Sequence, residues 1–240
     1  MVKSYQGPGH GARISLDMAR TRTLSEEVKK PVSVTQAWSG EIDPSRCNKR
    51  TLLILHAIRV FHKKGVNGTG IAEVMELAGV GKGQFYHYFG SKDQFICEVV
   101  RYTMDYFLKR IAPYTSRLES LAEFDQWFQP YVEFAQLPDF MGCPVGAIAS
   151  ELSPSNPAVR ATAALCLQRW VIAMAEGLSV LQQETGAVGR FQPLETAEEL
   201  ASDIQGALLM CRAMQTNRYI LSLRERTRER LARLLQLPQN

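Results

Sequence analysis

From residue 45 onward, apolar positions recur at helical spacing almost without a break, and the two-residue alternation of a strand occurs nowhere. Ile54, Ala57, Ile58 and Phe61 stand at i, i+3, i+4 and i+7, which predicts a helix over 45–64 that Gly65 ends as a C′ glycine does. A second helix, over 70–78, turns Ile71, Val74 and Leu77 toward the same core, and a short third follows over 81–88. Gly90-Ser91 interrupts the pattern. Ser91, with Asp93 and Gln94 in the first turn, opens a longer helix over 91–111 carrying Phe95, Val99, Tyr102, Tyr106 and Phe107. An aromatic stripe of Phe124, Trp127, Phe128, Tyr131 and Phe134 predicts a helix over 116–137, kinked at Pro130. Met141-Gly142-Cys143-Pro144 opens a short helix ending near residue 153. Two long helices follow over 157–185 and 194–221, then a basic C-terminal helix with Arg224, Arg226, Arg228, Arg230 and Arg233. The fold class is all-α. Residues 1–45 have no sustained period and carry the breakers Gly7-Pro8-Gly9 and Asp43-Pro44, so they are expected to be a flexible basic N-terminal arm or leader.

The spacing of the second and third helices is specific. Two helices of about two turns joined by a short turn containing a glycine make a helix-turn-helix. Gly79 suits the left-handed turn position because it has no side chain to clash, and Val80 is placed to plug the core between the helices. The second helix of such a pair presents its N-terminal residues to base edges in the major groove.

Charge sharpens this picture. The net formal charge is +1 over 1–45, +6 over 46–92 and −3 over 93–240, so the excess of positive charge sits in one short module. A compact basic head on a mildly acidic body points to a polyanion partner, most simply DNA, although a solvated charged face would give the same count. The most apolar stretch, 161–181, carries Gln168, Arg169 and Glu176, which argues against a membrane span. The N-terminus lacks the apolar core of a signal peptide, so a cytoplasmic protein is expected. Five cysteines at irregular spacing, without a CxxC pair, read as free thiols.

The run 65–92, GVNGTGIAEVMELAGVGKGQFYHYFGSK, resembles the DNA-binding signature of the TetR family of one-component transcriptional regulators. The matching positions are the apolar residue after Gly65, the Ile71-x-x-Val74 pair, Ala78-Gly79-Val80, Lys82-Gly83, and Phe85-Tyr86-x-Tyr88-Phe89 followed by Ser91-Lys92. Three positions depart from the family pattern. Gly70 and Gly81 stand where Ser or Thr usually caps a helix, and Met75 stands where Ala is usual. The resemblance implies a helix-turn-helix DNA-binding domain over 46–92 and a helical effector-binding and dimerisation domain over 93–240.

Carried over by position, the resemblance assigns Lys82, Gly83, Gln84 and His87 to the base-facing surface. Gln84 can pair bidentately with adenine, and Lys82 can reach guanine O6/N7 or a phosphate. Gly83 lets the backbone approach a thymine methyl. Tyr86, Tyr88 and Lys92 match phosphate-clamping positions, which set register without reading sequence. With its cap hydroxyl missing, Gly81 still offers backbone N–H groups to a phosphate. Lys49, Arg50 and the N-terminal arm add backbone or minor-groove contacts. Phe85 and Phe89 are read as core. In the body, Tyr102, Tyr106, Trp127, Tyr131, Cys143 and Trp170 are expected nearest an apolar effector pocket. Cys143 carries two readings, a thiol at a helix start open to electrophiles and a small buried hydrophobe.

Small residues on the two long helices, Ala163, Ala173 and Gly177 on one and Gly206, Ala207 and Ala213 on the other, suggest a four-helix homodimer interface. The implied function is a dimeric repressor of a palindromic operator, released when a small-molecule effector tilts the 91–111 helix. The alternative is an effector-independent repressor or architectural protein. Catalysis finds no support: Gly79-Val80-Gly81-Lys82-Gly83 fails the phosphate-loop pattern at Glu76 and Gly83. The histidines at 10, 56, 62 and 87 have no metal-ligand spacing, and His56 and His62 are placed on the surface of the first helix. No cofactor, no metal and no membrane partner is expected.

Overall fold

The computed structural model describes residues 47–115, 118–151 and 156–236, all within one compact unit spanning 31–240. The expected N-terminal arm lies outside the described residues. Among the described residues there is no strand. The helices are α1 (Lys49–Lys64), α2 (Ile71–Ala78), α3 (Lys82–Phe89), α4 (Lys92–Thr115), α5 (Phe124–Ala135), α6 (Pro144–Glu151), α7 (Pro157–Glu184), α8 (Pro193–Met214) and α9 (Arg218–Gln236).

The head forms where local chemistry dictates it. Asn48 caps α1, its Oδ1 accepting from the Thr51 N–H at 2.8 Å, and Gly65 (φ 75°) ends the helix. Ile54, Ala57, Ile58 and Phe61 are all buried. After α2, Gly79 takes the left-handed conformation (φ 59°, ψ 48°), its N–H bonds the Glu76 carbonyl, and Val80 turns back into the core. The four rings of Phe61, Phe85, Phe89 and Phe95 then lock α1, α3 and α4 together, with centroids 4.7 to 6.4 Å apart. Phe95 belongs to the first turn of α4, so the longest helix of the head is also the first of the body. Ser91 Oγ caps it, accepting from the Gln94 N–H at 3.1 Å.

The body wraps α5 almost completely: Phe124, Trp127, Phe128 and Tyr131 are buried, with Pro130 inside the helix. By length and composition α7 could cross a membrane, but its Val159, Ala163, Cys166, Trp170, Met174 and Leu178 line the protein core. Gly177 is required there: a Cβ would stand 2.7 Å from the Thr115 carbonyl oxygen and 2.8 Å from Trp127 Nε1.

Several expectations need correction. Leu77 is 52% exposed, and Met75 packs against the core in its place. The helix expected over 116–137 is shorter: a 3-10 turn (Leu121–Glu123) precedes α5, and Leu137-Pro138 closes it because the residue before proline disfavours helix. The helix expected over 194–221 breaks after Met214. Gln215 adopts the left-handed conformation (φ 50°), and Thr216 Oγ1 accepts from the Arg218 N–H to start α9. Ala163 and Gly177 face the protein's own core rather than an outer face. His62 does not lie open on the surface of α1: both ring nitrogens are buried. Burial lowers its pKa to about 4, against an opposing pull from the Asp139 backbone and charge.

Candidate nucleic-acid interface and effector cavity

α3 is exposed along one face. Phe85 and Phe89 are buried, which leaves Lys82, Gly83, Gln84, Tyr86 and His87 on the exposed side. Their backbone starts at Gly81, an extended cap (φ −77°, ψ 158°) without a side-chain hydrogen bond, so the first N–H groups of α3 have no side-chain partner there. A Cβ at Gly70, Gly81 or Gly83 would meet nothing within 4 Å, so intramolecular crowding does not require glycine at these positions. Tyr86 packs edge-on against Phe85 (5.3 Å, 89°) while remaining 45% exposed, an apolar body with a polar tip at the surface. Gln84 Nε2 donates to the Tyr88 hydroxyl at 2.9 Å, one helical turn on. Lys92 is exposed at the start of α4.

The structure engages Lys49 and Arg50 within the head. Lys49 Nζ donates to the Ala78 carbonyl at 2.9 Å, satisfying the C-terminal end of α2. Arg50 pairs with Glu98 of α4 and lies 5.3 Å over the Phe89 ring. Both brace α1 against its neighbours.

In the body, a small, partly open cavity of about 20 Å³ lies among α4, α5, α6, α7 and α8. Tyr131, Cys143 and Trp170 line it; Tyr102, Tyr106 and Trp127 do not. Trp127 is one turn before Tyr131 but packs over Gly177, and its Nε1 has no hydrogen-bond partner among the described residues. Tyr102 and Tyr106 are half-buried on α4, and burial together with the neighbouring Cys47 and Tyr106 raises the Tyr102 pKa. Sequence reasoning missed Met104, Phe107, Phe134, Val145, Leu167, Ile204, Gln205 and Leu208, of which Phe107 and Phe134 carried an aromatic signal. Trp170 Nε1 donates to the Tyr131 hydroxyl at 2.9 Å, and the Phe107, Tyr131 and Trp170 rings pack at 6.0 to 6.3 Å. Burial pushes the Tyr131 phenol up, so it stays neutral.

None of the lining side chains carries a charge. The polar end is Cys143 with Gln205. The Gly146 N–H donates to Cys143 Sγ at 3.3 Å, and a Cβ at Gly146 would strike Gln205 Oε1 at 2.6 Å. Burial raises the Cys143 pKa despite hydrogen bonds from Gln205 and from the Gly146 and Val145 backbone, which keeps the group a thiol at neutral pH. A cavity of this volume holds roughly one water-sized probe, so a larger ligand enters only as these side chains move apart.

The comparisons with known proteins agree with this geometry. Residues 53–99 match the family model of the tetR family of bacterial regulatory proteins, and 121–226 match that of the LmrA/YxaF-like transcriptional regulator C-terminal domain. The chain is 30% identical over 173 residues to an uncharacterized HTH-type transcriptional regulator in the lacX 3′ region of Lactococcus lactis subsp. lactis, covering 70% of this chain and 85% of that one. It is 28% identical over 171 residues to the HTH-type transcriptional repressor DhaR of Mycobacterium sp. (strain GP1), covering 69% and 83%. The crystal structure of reduced E. coli NemR superimposes with a TM-score of 0.69 at 18% identity, over 75% of this chain and 96% of that one. Helix-turn-helix head, helical body and relatives together place the chain in the TetR family of transcriptional regulators.

Proposed function

We propose that this regulator is a cytoplasmic, dimeric repressor that grips a palindromic operator and is released by a small, uncharged, largely apolar effector. The observation that carries the reading is α4. Its first turn is built into the head through Phe95, and two to three turns later Met104 and Phe107 line the uncharged cavity. A rigid rod of 24 residues, about 36 Å long, thus shares side chains with both sites. On this reading Lys82, Gly83, Gln84 and His87 meet base edges, while Tyr86, Tyr88, Lys92 and the N–H groups after Gly81 hold phosphates. Lys49 and Arg50 support the head from within and would reach DNA only by giving up their present partners. The effector stacks among Phe107, Tyr131 and Trp170 and offers Gln205 a polar group. Its binding shifts the orientation of α4 by as much as its affinity differs between the two states.

The dimer face we assign to the outer sides of α7 and α8. Leu165 and Ile172 on α7, and Leu194, Leu209 and Met214 on α8, are each about half or more exposed. A patch of this kind on adjacent helices marks an interaction surface, and a second copy closes it into a four-helix interface. DhaR, a relative named as a repressor, supports repression as the mode.

The small cavity favours one rival, an effector-independent DNA-binding protein. A thermal-shift panel of neutral aromatic and aliphatic compounds separates the two. Effector binding raises the melting temperature in step with RT ln(1 + [L]/Kd) and releases bound DNA. A panel without a shift favours the rival.

A further inference from the structure

α6 is eight residues long and touches three regions of the molecule. Cys143, immediately before it, and Val145 in its first turn line the aromatic cavity. Pro144, Ala147 and Ile148 share a pocket of about 10 Å³ with Ile58, Phe61 and His62 of α1 and with Val99 and Thr103 of α4. The last residue of α6, Glu151, reaches the turn that leads from α1 into the helix-turn-helix. There the Asn67 backbone N–H donates to Glu151 Oε2 at 3.1 Å, and Asn67 Nδ2 donates to the Glu151 backbone carbonyl at 2.9 Å. Glu151 therefore engages Asn67 twice, once through its side chain and once through its backbone.

Gly65 makes room for this clamp. A Cβ there would stand 2.6 Å from both carboxylate oxygens, and Gly65 itself occupies a left-handed backbone (φ 75°). The carboxylate is thus set against the segment, 65–70, that joins α1 to α2. The Thr69 hydroxyl donates to the Gly65 carbonyl at 2.6 Å and tightens the same turn. Through Glu151, α6 contacts the base of the helix-turn-helix directly, in addition to its packing on α4.

We propose that Glu151 is a positioning residue for DNA binding, which holds the helix-turn-helix at the angle competent for its specific site by clamping Asn67. It touches no DNA and reads no base. Its effect falls on specific binding, which needs the recognition helix correctly aimed, and spares non-specific binding, which depends on charge alone.

The test uses the full chain, with Glu151→Ala, Glu151→Gln and Asn67→Ala. The probes are the best duplex selected by the wild-type protein from a randomised library and an unrelated duplex of equal length. Hydrogen exchange at the Asn67 amide and the melting temperature are measured alongside. Loss of a hydrogen bond to a charged acceptor is expected to speed Asn67 exchange in Glu151→Ala and to weaken selected-duplex binding about tenfold. The unrelated duplex is expected to bind within a factor of about two of wild type. Glu151→Gln keeps an amide oxygen as acceptor and is expected to restore most of the loss. Asn67→Ala, which leaves α6 intact, is expected to repeat the selective loss. Faster exchange with unchanged selected-duplex affinity would overturn the proposal. So would equal weakening on both duplexes in step with a fallen melting temperature, because that is the mark of a merely structural contact.

Discussion

At the scale of single residues, two side chains carry opposite burdens. Gln84 is exposed on the recognition helix, and its amide donates a hydrogen bond to Tyr88. Gln84→Ala is expected to relax base preference at one symmetric position, at a cost of about 1–3 kcal/mol, without changing the salt dependence of binding. Selection from random sequence before and after the change reads this directly, and identical base preferences would contradict it. His62 is buried and neutral. Its folded pKa, about 4, lies below the unfolded value of 6.5, so the unfolded chain binds the extra proton more readily. This contribution is intact above pH 6.5 and lost as pH falls toward 4, with about 2 kcal/mol going between pH 7 and pH 5. His62→Leu is expected to flatten that part of the stability profile in denaturant titrations at the two pH values. A variant profile as steep as wild type would place the proton elsewhere. Neither His62 nor Leu77 could be placed correctly from periodicity, because a helix stripe says which residues share a face and not what packs against it. His62 sits under α6, more than eighty residues further along the chain, and Leu77 faces solvent while Met75 packs against the core.

At the scale of elements, the head was the most legible part. Its turn is set by local chemistry: Gly79 takes the left-handed position and Val80 follows it into the core, as the residues themselves require. The two glycine caps are the exception to good local design. Gly70 and Gly81 have ordinary extended backbones and open space around the missing Cβ, so a hydroxyl residue suits both. Gly70→Ser with Gly81→Ser is expected to raise stability by a few tenths of a kcal/mol per cap, about 0.5–1 kcal/mol together. Chemical denaturation measures it, and a loss of stability would show that these starts need glycine for a reason the free head does not reveal. The break between α8 and α9 was not legible, because Gln215 is an unusual residue for a left-handed position and Thr216 supplies the hydrogen bond that restarts the chain. The cavity was half legible for a related reason. Aromatic type pointed to Tyr131 and Trp170, but the lining comes from five helices, and Met104 or Gln205 carries no local mark.

At the scale of the whole molecule, the proposed function requires two copies acting together. The exposed apolar residues on the outer faces of α7 and α8 form the seam assigned in that proposal. Leu209→Glu is expected to give a monomer in sedimentation and to weaken specific DNA binding by about 100-fold or more, since each half-site is then held alone. A dimer that persists with full affinity would move the seam elsewhere. The central claim is that the head reads a specific, symmetric sequence, and it is tested most directly by selecting duplexes from a randomised library with the intact protein and titrating the winner in salt. The account expects an enriched inverted repeat, bound far more tightly than an unrelated duplex, with affinity falling linearly in log salt. Binding without enrichment, driven by salt alone and equal on every duplex, would contradict it.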